Sequence, residues 1–146
     1  MKASEPPIIV SQVFEASAET VWNAITEVEQ MQQWFFDNIP DFKAEVGFQT
    51  QFNVKAPSRD FLHIWKVTEV VPQQKIVTNW KYENCKGNSF VTFELKPHKD
   101  GTQFTVTTKV TEDFSDDIPE FERESCIGGW TYFIKERLYP YLLKTI

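Results

Sequence analysis

The sequence predicts an α+β fold: a curved antiparallel sheet of about six or seven strands wrapped around a long C-terminal helix. Three observations carry this. Between residues 41 and 112 apolar and polar residues alternate with period two, and turn residues interrupt them. From about 119 to 143 the apolar residues recur at intervals of three and four. An antiparallel sheet with one apolar face needs a cover, and only the terminal helix is long enough to supply it.

The opening segment "IIVSQVFEA" (8–16) reads as a strand. Ser17 suits a helix N-cap, and Glu19 suits the positive end of the first turn. Val21, Trp22, Ile25 and Val28 then share one helical face. Thr26 and Glu29 have the spacing of a capping box, which predicts a second short helix running to about Trp34. Pro40 ends the loop that follows. "DFKAEVGFQTQFNVKA" alternates around Gly47, which marks a bend.

"DFLHIWKVTEVV" (60–71) is rich in β-branched and aromatic residues and is closed by Pro72. His63, Trp65, Val67 and Glu69 fall on one side of it, assigned inward because Lys66 and Thr68 suit solvent. "KIVTNWKYE" (75–83) follows, and "NCKGN" supplies a turn. "SFVTFELK" (89–96) puts Val91, Phe93 and Leu95 on one face. Asp100-Gly101 is the strongest hairpin signal in the chain. "TQFTVTTKVTE" (102–112) puts Phe104, Val106, Thr108 and Val110 together.

The last helix is expected to begin near Pro119, with Asp116 and Asp117 at its positive end. Ile127, Trp130, Ile134, Leu138 and Tyr141 form its apolar stripe, widened by Cys126, Phe133 and Arg137. Residues 119–143 would span roughly 37 Å at 1.5 Å per residue, enough to cross a sheet. Gly128, Gly129 and Pro140 are its weak points. Side-chain-free glycines would let sheet, loop or ligand approach the backbone, and Pro140 would free the Glu136 carbonyl and kink the last turn.

The totals narrow the function. The 146 residues suit one domain, 1–146, and 41% are hydrophobic. A net charge of −6 with no basic face argues against nucleic acid. No apolar run approaches the ~20 residues of a membrane span, and the start lacks a secretory pattern, so a cytoplasmic protein is expected. Cys85 and Cys126 are expected as free thiols, and no His or Cys spacing fits a metal site. Seven acidic residues between Glu112 and Glu124, opposed only by Arg123, read as a solvated helix start. Rings make up 15% of the chain. That excess serves a core, an interface or an apolar pocket equally well.

Several motifs in order resemble the START-like (SRPBCC) helix-grip superfamily. Within it the chain looks most like the family named after the activator of the heat-shock protein 90 ATPase. "FEASAETVWNAIT" is similar to the family's first strand and helix, and "MQQWF" to its second helix. "WKVTEVVPQQKIVTNW" is similar to its paired strands, and "GGWTYFIKERLYPYL" to its terminal helix. The resemblance spans roughly residues 8–143. It implies a cavity between helix and sheet that takes an apolar or amphipathic small molecule, a link to stress response, and no cofactor. The chain has no "N-x-N-x-W-H-W"-like motif of the eukaryotic co-chaperones, which weakens a direct chaperone-activating role.

The residues expected at such a cavity are Trp34, Phe36, His63, Trp65, Val67, Trp80, Phe93, Phe104, Cys126, Trp130, Phe133 and Arg137. Any one ring alone is ordinary packing; five tryptophans in a small domain fit a groove more easily than a tight core. His63 could orient a ligand or move a proton near neutral pH. Glu69 in an apolar cleft could act as an acid, and Arg137 could meet a ligand carboxylate. The leading expectation is a binding protein with a cavity above ~300 Å³. The rivals are a protein-interaction module with a chaperone or homodimer partner, and a cavity enzyme of cyclase or hydrolase type. No nucleophile–base motif supports the last.

Overall fold

The computed structural model describes residues 1–145. Strand β1 (Ile8–Phe14) is followed by helices α1 (Ala18–Thr26) and α2 (Val28–Trp34). Five strands follow: β2 (Gln49–Lys55), β3 (Asp60–Val71), β4 (Lys75–Tyr82), β5 (Asn88–His98) and β6 (Gly101–Glu112). The sheet order is β1-β6-β5-β4-β3-β2, and every pairing is antiparallel. β2 to β6 thus form a meander, and the α1–α2 pair carries the chain from one sheet edge to the other. The C-terminal helix is α3 (Arg123–Thr131), a π-helical segment (Tyr132–Leu138) and α4 (Tyr139–Thr145) in succession.

The core lies between sheet and helices. Phe14, Trp34, Val67, Phe104, Ile134 and Leu138 are all at most 1% exposed. Gly101 closes the β5–β6 hairpin at φ +144°, in a space where a Cβ would come within 2.1 Å of the Phe14 carbonyl oxygen. Only glycine fits both the dihedral and the contact.

The structure departs from the sequence reading at several places. Residues 41–48 form no strand, because Gly47 (φ +93°) and its neighbours turn the chain into β2. The Thr26–Glu29 capping box does not form. Thr26 lies inside α1, where its hydroxyl donates to the Trp22 carbonyl at 2.6 Å, and Glu27 caps α2 with backbone alone. Glu69 does not share the inward face of β3. A register shift between Val67 and Glu69 turns it outward, where it pairs with Lys75 at 2.7 Å.

The last helix begins at Arg123, not near Pro119. Pro119–Phe121 is a 3-10 turn, and Glu122 is extended at φ −73°, ψ 146°. Phe114, Ile118 and Phe121 fold back against Phe61 and Val110 in a second small cluster, which pulls this stretch away from the helix axis.

The helix also changes its pitch. In the π segment the Tyr139 N–H donates to the Ile134 carbonyl, five residues back. An α-helix turns about 100° per residue, so positions four apart drift steadily around it. The wider π turn cancels that drift. Trp130, Ile134, Leu138 and Leu142 therefore all face the core, and Leu142 takes the place expected of Tyr141. Pro140 follows the π segment immediately and sits in the first turn of α4, where a proline is tolerated. The widened turn accommodates it with the helix continuing, so the kink assigned to Pro140 is replaced by a change of helix type.

Candidate functional site

Beneath the C-terminal helix the packing leaves a cavity of about 140 Å³. The sheet supplies its floor through His63 on β3, Trp80 and Tyr82 on β4, Ser89 and Val91 on β5, and Thr108 on β6. Phe35 and Phe36, just past α2, form one wall. Cys126, Gly129, Trp130 and Phe133 of the helix form the roof, and Met1, Phe114 and Glu120 complete the lining. The volume is below the ~300 Å³ expected from the sequence. The rings themselves fill the difference. Phe35 lies 4.9 Å from Phe133 and 5.8 Å from Trp130, ring centre to ring centre, and Trp80 lies 4.8 Å from Trp65.

The strand parity explains the floor. His63, Trp65 and Val67 do point inward on β3, as the exposed Lys66 and Thr68 on either side of Val67 require. Trp65 stands opposite Trp80 in the β3–β4 register, so two indoles meet at mid-sheet.

The polar groups on the lining are tied to the protein. The Trp80 indole N–H donates to the Tyr82 hydroxyl at 2.9 Å, and Ser89 donates to the Trp80 carbonyl at 2.8 Å. The Trp130 indole donates to Thr108 at 3.0 Å. A phenol that accepts still has its own proton to give, so Tyr82 can donate to an occupant. Burial pushes the Tyr82 pKa above the ordinary tyrosine range, which keeps it neutral.

His63 Nδ1 lies 3.1 Å from the Phe61 carbonyl oxygen. That contact requires a proton on Nδ1 and leaves Nε2 as an acceptor. Rings surround the imidazole: Phe52 stacks on it at 5.2 Å, and Tyr82 meets it edge-on at 4.7 Å. Burial lowers its pKa to about 4 against the partial support of the Phe61 carbonyl. His63 is therefore neutral near pH 7 and does not titrate there, contrary to the expectation from its ordinary value. Burial likewise pushes the Cys126 thiol up to about 11, opposed by hydrogen bonds with Thr108 and Trp130. A protonated thiol is a poor nucleophile. The lining can hold an apolar ring, accept one hydrogen bond at His63 Nε2 and donate one from the Tyr82 hydroxyl.

Of the residues expected here, Phe36, His63, Trp80, Cys126, Trp130 and Phe133 come together around the cavity. Trp65 and Phe93 line a separate slot of about 10 Å³ on the far side of Phe35 and Trp80. Val67 and Phe104 are solid core. Trp34 belongs to the α1–α2 packing, donating to the Ala24 carbonyl at 2.7 Å. Arg137 is on the surface, bonded to the Gln33 carbonyl at 3.0 Å and the Tyr132 hydroxyl at 3.3 Å. Phe35, Tyr82, Ser89, Val91 and Thr108 were not among the expected set. Tyr82 shares strand parity with Trp80, and Thr108 shares it with Phe104 and Val106, so both were within reach of that signal. A Cβ on Gly128 or Gly129 would meet nothing within 4 Å, so neither sheet nor loop packs against the helix there. Gly129 faces the cavity instead.

A larger depression, about 910 Å³, lies between the start of α1 and the β3–β4 and β5–β6 turns. Charged groups such as Glu15, Lys75, Glu94 and Lys96 line it with no aromatic residue, so it lacks the walls of an apolar ligand site. No helix among the described residues is long and apolar enough to cross a membrane.

This arrangement, a long helix over a six-stranded sheet with the pocket between, has known relatives. The family described as Activator of Hsp90 ATPase homolog 1-like protein matches residues 15–142. The chain belongs to this family. Solved structures of similar shape include the Bacillus halodurans protein BH1534, 27% identical over 94% of this chain and 96% of its own, with a TM-score of 0.69. Mesorhizobium loti MLL2253 is 24% identical over 97% and 99%, TM-score 0.73. Chromobacterium violaceum CV1439 is 20% identical over 88% and 92%, TM-score 0.73. No curated protein matches the sequence. Membership of the Activator of Hsp90 ATPase homolog 1-like family accounts for the fold and leaves the occupant of the cavity to be argued from the lining.

Proposed function

We propose that this member of the family is a binding protein for a small apolar molecule about the size of one aromatic ring, held between the C-terminal helix and the sheet. The observation that carries this reading is the cavity of about 140 Å³, walled by Phe35, Trp80, Trp130 and Phe133. An apolar cavity of about 150 Å³ suffices for benzene in another protein. The volume argues against a lipid-sized ligand in this conformation. The neutral His63 and Tyr82 at the lining suit an uncharged occupant better than an anion.

The test is chemical extraction of the protein purified from its own cells, beside Gly129→Leu. Leucine at 129 has room for its Cβ and projects toward the cavity. Mass spectrometry should find a single-ring-sized apolar compound with the natural protein and not with the variant. Equal recovery from both would place the compound elsewhere and refute the reading.

A further inference from the structure

Trp65 buries an indole N–H that has no partner. The residue is 3% exposed, and its Nε1 is the unpaired buried side-chain nitrogen or oxygen among the described residues. The buried indoles of Trp34, Trp80 and Trp130 each donate to an oxygen within 3.0 Å. A buried donor without an acceptor costs its full desolvation, so natural proteins keep few of them.

The surroundings say what could satisfy it. Trp65 lines the slot of about 10 Å³ with Phe35, Thr78, Trp80 and Phe93. That is at the lower limit for one water, and a water needs two to four polar partners. The other polar side-chain atoms at the slot belong to Thr78 and to Trp80, whose N–H is already given to Tyr82. An apolar molecule carrying one acceptor atom suits such a place better than water does.

Phe35, Trp80 and Val91 are shared between slot and cavity, so they form the partition. Phe35 follows the end of α2 with φ −104°, ψ −126°, outside helix and strand. Its buried side chain makes no hydrogen bond and packs against Trp34, Trp65, Trp80 and Phe133. A turn of that ring would join the two spaces beside Trp80 and Val91 and open a path from the cavity toward Trp65.

We infer that Trp65 is the specificity-determining donor of the cavity. The preferred ligand is a single-ring molecule bearing an uncharged acceptor such as a ketone carbonyl, whose oxygen reaches the slot when Phe35 turns. This rests on the proposed binding function and adds the ligand's chemical class.

Two probes of nearly equal shape test it: acetophenone, with C=O, and α-methylstyrene, with C=CH₂ in its place. Dissociation constants are measured for both on the natural protein and on Trp65→Phe, which keeps a ring and loses the N–H. The ratio of the two constants should shift against acetophenone by about five- to tenfold in the variant, the worth of one hydrogen bond. An unchanged ratio with both probes still bound overturns the inference and leaves the cavity reading standing. Failure of both probes to bind the natural protein overturns both. Indole nitrogen–proton NMR on the natural protein serves if the variant does not fold. The Trp65 resonance should move downfield with acetophenone and not with α-methylstyrene, and equal movement with both overturns the inference.

Discussion

Acidification should destabilise this protein in a window set by one residue, His63. Its imidazole is 6% exposed and walled by Phe36, Phe52, Trp80 and Tyr82. Burial holds its pKa at about 4 in the folded protein, against 6.5 for an ordinary histidine. Between these values the unfolded chain binds a proton that the folded chain refuses. Stability therefore rises with pH through this window and is lost as pH falls below 6.5. The gap is worth about 3 kcal/mol once titration is complete, and about 2 kcal/mol is lost by pH 5. Carboxylates titrate mostly below pH 5, so the upper part of the window isolates the histidine. Urea unfolding at pH 7.5 and pH 5 should show the loss in the natural protein, and His63→Gln should show little of it. His98 is present in both proteins and cancels. If stability is equal at the two pH values, the surrounding rings stabilise the imidazolium by cation–π attraction as strongly as burial opposes it, and the reasoning fails. An equal loss in the variant would assign the effect to other groups.

Other outcomes follow from the same geometry. Gly128→Ala should stabilise the protein by about 0.5–1 kcal/mol in denaturant unfolding, because it gains helix propensity and its Cβ meets nothing. Gly101→Ala should cost about 2–3 kcal/mol by the same measurement, since its Cβ would run into the Phe14 carbonyl and its φ is unfavourable for alanine. Leu138→Ala should cost about 2–5 kcal/mol, as the side chain is fully buried on the core face of the π segment. In a Cys85→Ser background, iodoacetamide should label Cys126 at pH 7.5 about a hundredfold more slowly than an ordinary cysteine, given a pKa near 11 rather than 9.

Much of the fold was legible because local chemistry and tertiary packing agree. The limits of β3 coincide with the run 60–71, where alternation and Pro72 act together. Asp100-Gly101 marked the β5–β6 turn, and the glycine proved sterically obligatory. Two of the failures lie where one extra residue in a turn or strand shifts the facing of the residues after it. The shift after Val67 sent Glu69 outward, and alternation alone cannot reveal it. The π segment exchanged Tyr141 for Leu142 on the buried stripe in the same way.

The site was harder to read than the fold. The rings at its floor follow strand parity and could be listed from sequence, but which of them border a void depends on the gap left between elements. Phe35 shows the difficulty. Its neighbours Trp34 and Phe36 were singled out, yet Phe35 stands with Trp80 and Val91 between cavity and slot. It lies one residue past α2 in a backbone conformation that no periodicity predicts. The neutral state of His63 was also hidden, because it comes from the rings that bury it and not from its neighbours in sequence.

If the space under the helix is a binding cavity, it admits one small apolar guest. Diffraction from crystals pressurised with xenon tests it most directly, since xenon enters apolar cavities of this size. A xenon peak bounded by Trp80, Trp130 and Phe133 is expected in the natural protein, and none there in Gly129→Leu. A cavity without xenon in the natural protein, or an undiminished peak in the variant, would contradict it.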